Sequence, residues 1–269
     1  MPFANNNGVK IHYEIEGNGP PIVLHHGFGG VGERWREYGY TQELNKNNRV
    51  IALDARGCGK SDKPHDEKAY AFKEMVGDVT AILDDLKIEK ANYFGYSMGG
   101  RVGFRIPIYA PERFNSLILG GAAWPIKGTE DSEDDVLVGI KQDLEAAFKQ
   151  APGRPIEYYL VLREKRLGPR TPAQRATTLA NDPQALMASV RASLYMVSPR
   201  AEEVLPRIKL PCLLFAGEAD PRFPNVKECA RRMPNAQSFS LPGLTHEQGL
   251  QRADLSLPYI KKFLSEVNA

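Results

Sequence analysis

Two rhythms of apolar positions alternate along the first 120 or so residues. "GVKIHYEIEG" changes between apolar and polar residue by residue and ends at "GNGPP", which predicts an edge strand and a turn. "PIVLHH" is a short unbroken apolar run, as in a strand covered on both faces, and leads into the glycine loop "GFGGVG" and a polar helical stretch to Leu44. "RVIALD" (49–54) repeats the strand pattern before the turn-rich "ARGCGKSDKP". Phe72, Met75, Val76, Val79, Ile82, Leu83 and Leu86 then recur at helical spacing, predicting a helix over 72–87. "KANYFG" reads as a strand, "MGGRVGFRIPIYA" as a helix that Pro107 should kink or shorten, and "FNSLILGG" as a strand. Strand and helix alternate without hairpin turns. That is the signature of a mostly parallel sheet of the eight-stranded type with helices on both faces, an α/β fold.

The alternation stops at Trp124. Up to Pro206 the chain carries the breakers "APGRP", "LGPRTP" and "SPRAEEVLPR" around amphipathic helices in "EDDVLVGIKQDLEAAFKQ" and "DPQALMASVRASLYMV". The acidic "TEDSEDD" (129–135) is expected to be a solvated helix start, and the basic "LREKRLGPR" to lie on the surface. Strands resume at "PCLLFAG" (211–217) and "AQSFSL" (236–241), separated by the helical "NVKECARRM" and followed by a last helix. Residues 1–123 and 207–269 are therefore expected to form one α/β core, interrupted by an all-helical insertion at 124–206. A chain of 269 residues is near the upper limit for a single core, which favours this arrangement over two equal domains.

Composition narrows the partners. Charged residues make up 25% and nearly cancel, at net +2, so nothing draws the chain to nucleic acid or an anionic membrane. No run approaches the ~20 apolar residues of a membrane span. "MPFANNNGVKIHYE" has no basic segment followed by an apolar core, so no signal peptide is expected. Cys58, Cys212 and Cys229 have unrelated spacing, which implies neither a zinc site nor a disulfide framework. The expectation is a cytoplasmic protein without cofactor or metal.

The chemistry concentrates in "YFGYSMGG" (93–100). Gly95-Tyr96-Ser97-Met98-Gly99 lies between an apolar strand and a helix, the context in which G-x-S-x-G forms a nucleophile elbow. The glycines allow a sharp turn with Ser97 in a strained, bridge-like conformation, its hydroxyl raised above the sheet edge and the Met98 N–H aimed at the same point. A plain strand-to-helix turn containing serine would look the same in isolation. A serine hydroxyl is a weak nucleophile at neutral pH and needs a base, which in turn needs an orienting acid. Of the five histidines, His246 in "LPGLTHEQG" falls between the last strand and the last helix. Asp220 in "LLFAGEADPRFP" ends the preceding strand, where it could also be a simple turn former before Pro221; Glu218 is the reserve acid. The order Ser97, Asp220, His246 suits this kind of sheet. The glycines of "HHGFGG" permit close approach, so the Phe28 N–H would complement that of Met98, with His26 bracing the loop.

A rival reading starts from the same loop. "GFGGVG" (27–32) matches G-x-G-x-x-G after a strand, and Asp54 ends the next strand, as at a dinucleotide site. It leaves the second glycine turn, Asp220 and His246 unexplained. Asp54 then has the duller task of pairing with Arg56 or with backbone N–H groups of the "DARGCGKS" turn.

Taken together, "HGFGG", "DARGCGKSD", "GYSMGG", "AGEADP" and "LTHE" resemble the α/β-hydrolase fold family over essentially the whole chain. The resemblance implies a Ser97–His246–Asp220 triad, an oxyanion hole from the Phe28 and Met98 N–H groups, and an acyl-enzyme mechanism without cofactor. Family members acting on haloalkanes or epoxides carry aspartate at the elbow, so Ser97 points instead to carboxylesters, lactones, carbon–carbon bonds or perhydrolysis. Receptors of this fold keep the same three residues. The insertion would be a cap over the site, with Trp124, Tyr159, Met187 and Tyr195 as candidate pocket residues, although each could simply pack the cap. The expected partner is a small-to-medium, largely apolar ester.

Overall fold

Eight strands form one sheet in the order β1-β2-β4-β3-β5-β6-β7-β8. They are β1 (Phe3–Asn6), β2 (Val9–Glu16), β3 (Pro21–His25), β4 (Arg49–Leu53), β5 (Ala91–Tyr96), β6 (Phe114–Gly120), β7 (Cys212–Gly217) and β8 (Ala236–Leu241). From β4 onward in the sheet every pairing is parallel; β1–β2 and β2–β4 are antiparallel. The computed structural model describes residues 2–126, 132–195 and 199–268, and at 132–135 the backbone alone. The expected role of "TEDSEDD" thus falls outside the described residues at 129–131 and outside the described side chains at 132–135.

The first strands differ from expectation. A hairpin does open the chain, turning at Asn7 (φ 51°) and Gly8 (φ 89°), the Asn-Gly pair that two-residue turns favour. It adds the four-residue β1 as the edge, so "GVKIHYEIEG" forms an inner strand paired on both sides.

Between the strands run α1 (Arg34–Glu37), α2 (Tyr40–Leu44), α3 (Phe72–Asp85), α4 (Met98–Gly103) and α5 (Ile106–Tyr109). The expected helix over 98–110 is two short helices, because Pro107 cannot donate the N–H that a continuous helix needs. Between β6 and β7 the chain makes α6 (Ser132–Gln150), α7 (Pro155–Leu167), α8 (Pro172–Leu179), α9 (Pro183–Tyr195) and α10 (Ala201–Val204). Then α11 (Phe223–Arg232) separates β7 from β8, and α12 (His246–Gln251) and α13 (Ala253–Val267) complete the fold.

Alternation along the strands divides the core in two. Val23, Ile51, Leu117, Leu119 and Leu214 face the helices carrying Met75, Val79, Ile82, Val102, Val226 and Cys229. Ile22, Leu24, Val50, Phe94, Ile118 and Phe215 face Trp35, Tyr40 and the α13 residues Leu257, Ile260 and Phe263. Full burial of one such side chain contributes about 1.5–3 kcal/mol. The helices between β6 and β7 have their own apolar centre around Leu144, Tyr159, Leu186 and Val190, and half-buried Phe28 touches both this centre and the sheet core. Because β3, β5, β7 and β8 are parallel, the segments that follow them emerge at one edge of the sheet. That edge receives Phe28, Ser97, Asp220 and His246.

Candidate active site

Ser97 follows β5 at the N-cap of α4 with φ 55° and ψ −114°. The conformation is strained, as expected, but it has positive φ and is not bridge-like; such a residue costs of order 1–3 kcal/mol. What forces it is contact. A Cβ at Gly95 would lie 2.2 Å from the Gly99 carbonyl oxygen, and one at Gly99 would lie 2.1 Å from that of His25. Only glycines let helix and strand approach this closely, so the chain must reverse within the single residue Ser97. The Ser97 N–H, donating to the Gly120 carbonyl at 2.8 Å, pins the turn to β6.

His246 meets this hydroxyl. Its Nε2 lies 3.0 Å from Ser97 Oγ and its Nδ1 lies 2.6 Å from Asp220 Oδ2. A carboxylate only accepts, so Nδ1 carries the proton and Nε2 presents its lone pair to the serine. Asp220 is fully buried and its other oxygen accepts from the backbone N–H and the guanidinium of Arg222, both at 3.1 Å. Burial by itself would raise this carboxyl, but the hydrogen bond and charge of His246, with Arg222 behind them, hold it below its ordinary value. The reserve acid Glu218 is exposed and accepts from Ser240 Oγ at 2.8 Å. Of the two candidate acids, Asp220 faces the histidine.

The loop after β3 closes one side. A Cβ on Gly27 would sit 3.2 Å from Ser97 Cβ and 3.7 Å from its Oγ, so the Gly27–Phe28 backbone runs directly past the hydroxyl. Met98 opens α4, and the first N–H groups of a helix have no partner within it. His26 braces the loop as expected. Its Nε2 accepts from the Ala55 N–H at 3.0 Å, so Nδ1 bears the proton and donates to the Gly27 carbonyl at 2.7 Å. Burial lowers its pKa against the opposing pull of Gly27 and Asp54, and keeps this tautomer neutral. Below the elbow, buried His25 donates to Tyr93 Oη at 2.8 Å, which donates to the Gly99 carbonyl at 2.7 Å.

The four candidate pocket residues fall into different surroundings. Trp124 is buried in the sheet core, with its indole N–H on the Pro199 carbonyl at 3.1 Å and the Arg105 guanidinium 3.7 Å above its ring. Tyr159 is buried inside the α6–α9 centre. Tyr195 is 67% exposed. Met187 lines an open cavity of about 560 Å³ with His65, Phe148 and Arg191, and neither Ser97 nor His246 borders it. Packing demand, which sequence spacing does not reveal, has claimed Trp124 and Tyr159 but not Tyr195.

The basic stretch lies at the surface, with Lys165 and Arg166 exposed, while Arg163 and Arg170 are largely covered and both reach Glu247, the neighbour of His246. Nor do residues 27–32 open the long helix that a dinucleotide site needs, since only the four-residue α1 follows. Asp54 accepts from the Gly32 and Lys60 N–H groups at 2.8 and 2.9 Å and pairs with His12; Arg56 binds Asp78 instead. Among the described residues, no group of three or more His, Cys, Asp or Glu could hold a metal ion, and no helix is long and apolar enough to cross a membrane. Arg222 and the Tyr96 hydroxyl, which donates to the His246 carbonyl at 2.6 Å, are supporting groups that sequence reasoning did not single out. Arg222, two residues after Asp220, had a detectable signal in its spacing; Tyr96 had none beyond adjacency to Ser97.

Comparison with known proteins agrees with this architecture. A family model described as "alpha/beta hydrolase fold" matches residues 20–182. A Synechocystis protein provisionally named a non-heme chloroperoxidase is 29% identical, covering 98% of this chain and all of its own. A Bacillus subtilis protein provisionally named a 2-succinyl-6-hydroxy-2,4-cyclohexadiene-1-carboxylate synthase is 25% identical over 97% of each chain. The crystal structure of an enol-lactonase from Burkholderia xenovorans superposes with a TM-score of 0.77 at 27% identity, covering 98% of this chain and all of that one.

Proposed function

The chain belongs to the α/β-hydrolase fold family, and from that premise we propose that it is a serine hydrolase cleaving small-to-medium, largely apolar carboxylic esters through an acyl-enzyme. One observation carries the reading. His246 bridges Ser97 Oγ at 3.0 Å and the buried Asp220 at 2.6 Å, in the tautomer that a general base requires. Ser97 Oγ attacks the ester carbonyl as His246 Nε2 takes its proton. Asp220 holds the imidazole in place and stabilises the imidazolium, and stays ionised itself because its pKa is depressed. The oxyanion lies between the Phe28 and Met98 N–H groups; losing one such donor costs about 2.7–4 kcal/mol of transition-state stabilisation. His246 returns the proton to the departing alcohol, then draws one from the water that releases the acid.

The helices between β6 and β7 form the cap of this site. The likeness to an enol-lactonase favours including cyclic esters in the substrate class. Hydrolysis of p-nitrophenyl acetate and butyrate, beside Ser97→Ala, tests the reading: turnover by the wild type and its loss in the variant are expected. Turnover that survives in Ser97→Ala, or a wild type that binds but never hydrolyses, would replace it with a receptor or a different chemistry.

A further inference from the structure

The base of this site sits on poorly packed chain. Between Leu241 and Gly249 no residue is buried, and His246 begins a helix of only six residues. Leu244 and Leu250 pack only half-buried against the core on either side, so polar contacts carry much of the placement of its backbone. Thr245 and Gln248 form a capping box, Asp220 holds the imidazole, and one bond reaches the main chain of His246 from the nucleophile's own strand: Tyr96 Oη donating to the His246 carbonyl at 2.6 Å.

The fold makes room for that bond. A Cβ at Gly120 would lie 2.5 Å from Tyr96 Cδ2, one at Gly121 2.8 Å from Cζ, and one at Gly249 2.7 Å from the hydroxyl oxygen. Glycines of β6, the turn after it, and α12 thus leave a slot of the phenol's shape. The ring is buried within it, with its centroid 5.3 Å from that of the imidazole. We propose that Tyr96 is a positioning residue for His246, a rigid arm fixing the base's backbone to the residue that precedes the nucleophile. The proposal rests on the reading of His246 as general base. Without the arm, His246 can keep its bond to Asp220 while drifting from Ser97, and a misplacement of order 1 Å costs up to ~100-fold in rate. Burial raises the Tyr96 phenol well above its usual pKa, so it remains a donor throughout the working pH range.

Tyr96→Phe keeps the ring and deletes the donor. We expect kcat on p-nitrophenyl butyrate to fall roughly 10- to 100-fold with KM within about two-fold. Gly249→Ala, which displaces the hydroxyl but leaves the tyrosine, should reproduce the loss. Tyr40→Phe is the control: it removes a buried hydroxyl of the same core cluster, bonded to Ser256 Oγ at 2.8 Å and not to His246, and should lower stability without touching kcat. A readout free of turnover is the downfield proton NMR signal of His246 Nδ1–H, expected to broaden or exchange faster in Tyr96→Phe but not in Tyr40→Phe. Should the wild type hydrolyse no ester, the functional reading falls, and the NMR comparison still decides the anchoring. The proposal is overturned by a Tyr96→Phe signal like that of wild type together with unchanged kcat, or by equal effects of Tyr96→Phe and Tyr40→Phe.

Discussion

Among the described residues two clusters of serine, histidine and aspartate stand out, and they are wired differently. At the first, His246 stands between Asp220 and Ser97, with Nδ1 on the acid and Nε2 on the hydroxyl. At the second, His12 Nδ1 lies 3.0 Å from Asp54 Oδ2, and Ser61 is beside both. There the serine hydroxyl donates to the Asp54 carbonyl at 2.6 Å and accepts from the His12 backbone N–H at 2.8 Å. Its bonds go to the main chain, and the histidine's Nε2 has no side-chain hydroxyl to activate. Exposure differs too: the His246 side chain is 25% accessible and that of His12 only 3%. The same three residue types thus form the proposed reaction centre or a buried clamp between β2 and the turn after β4. Connectivity and access decide which.

Substitutions should separate the two clusters most at the hydroxyls. Ser97→Ala is expected to abolish at least ~10⁴-fold of kcat with little change in thermal midpoint. Ser61→Ala should do the reverse, costing about 1 kcal/mol of stability for a lost buried hydrogen bond and leaving kcat unaltered. Ester kinetics and thermal denaturation of both variants check this. The acids come next. Asp220→Asn should lower kcat by up to ~10⁴-fold by favouring the wrong imidazole tautomer. Asp54→Asn should instead destabilise by about 1–3 kcal/mol, because its carboxylate serves two backbone N–H groups; urea titration measures the latter.

A pH experiment sharpens the difference further. Asp220 has a depressed folded-state pKa, so its stabilising contribution is present above the unfolded carboxyl value of about 4 and is lost as pH falls through the lower folded value. Unfolding free energies should therefore drop more steeply below about pH 4 for wild type than for Asp220→Asn. The smallest effect is expected at the seam. Glu247→Gln weakens the contacts of Arg163 and Arg170 beside His246, and a partly exposed ion pair of this kind contributes about 0–1 kcal/mol.

Much of the first cluster was legible because its chemistry restricts the choice. Gly95, Gly99 and Ser97 are demanded by a turn in which strand and helix carbonyls leave no space for a Cβ, and Asp220 and His246 each follow a later strand of the same parallel sheet. The strand pattern was legible for the same physical reason, since strands covered on both faces must be apolar throughout. The edge was harder. Asn7-Gly8 is a hairpin signal, but "FANN" before it is too short to show a period. The second cluster was hidden because His12 meets Asp54 only through β2–β4 pairing, a relation between strands that local spacing does not encode. The pocket was not legible for a related reason: Trp124 and Tyr159 have the composition of a pocket wall, and equally that of the packing in which they are buried. Tyr96 looks like any core aromatic until Gly120, Gly121 and Gly249 are seen around its ring.

The central claim is that Ser97 forms a covalent acyl intermediate with His246 as its base. Acid-quenched mass spectrometry during turnover of p-nitrophenyl butyrate, followed by peptide mapping, measures this directly. The account predicts a mass increase of one butyryl group on the peptide carrying Ser97, absent in His246→Ala. An unmodified Ser97 during sustained turnover, or acylation undiminished in His246→Ala, would contradict it.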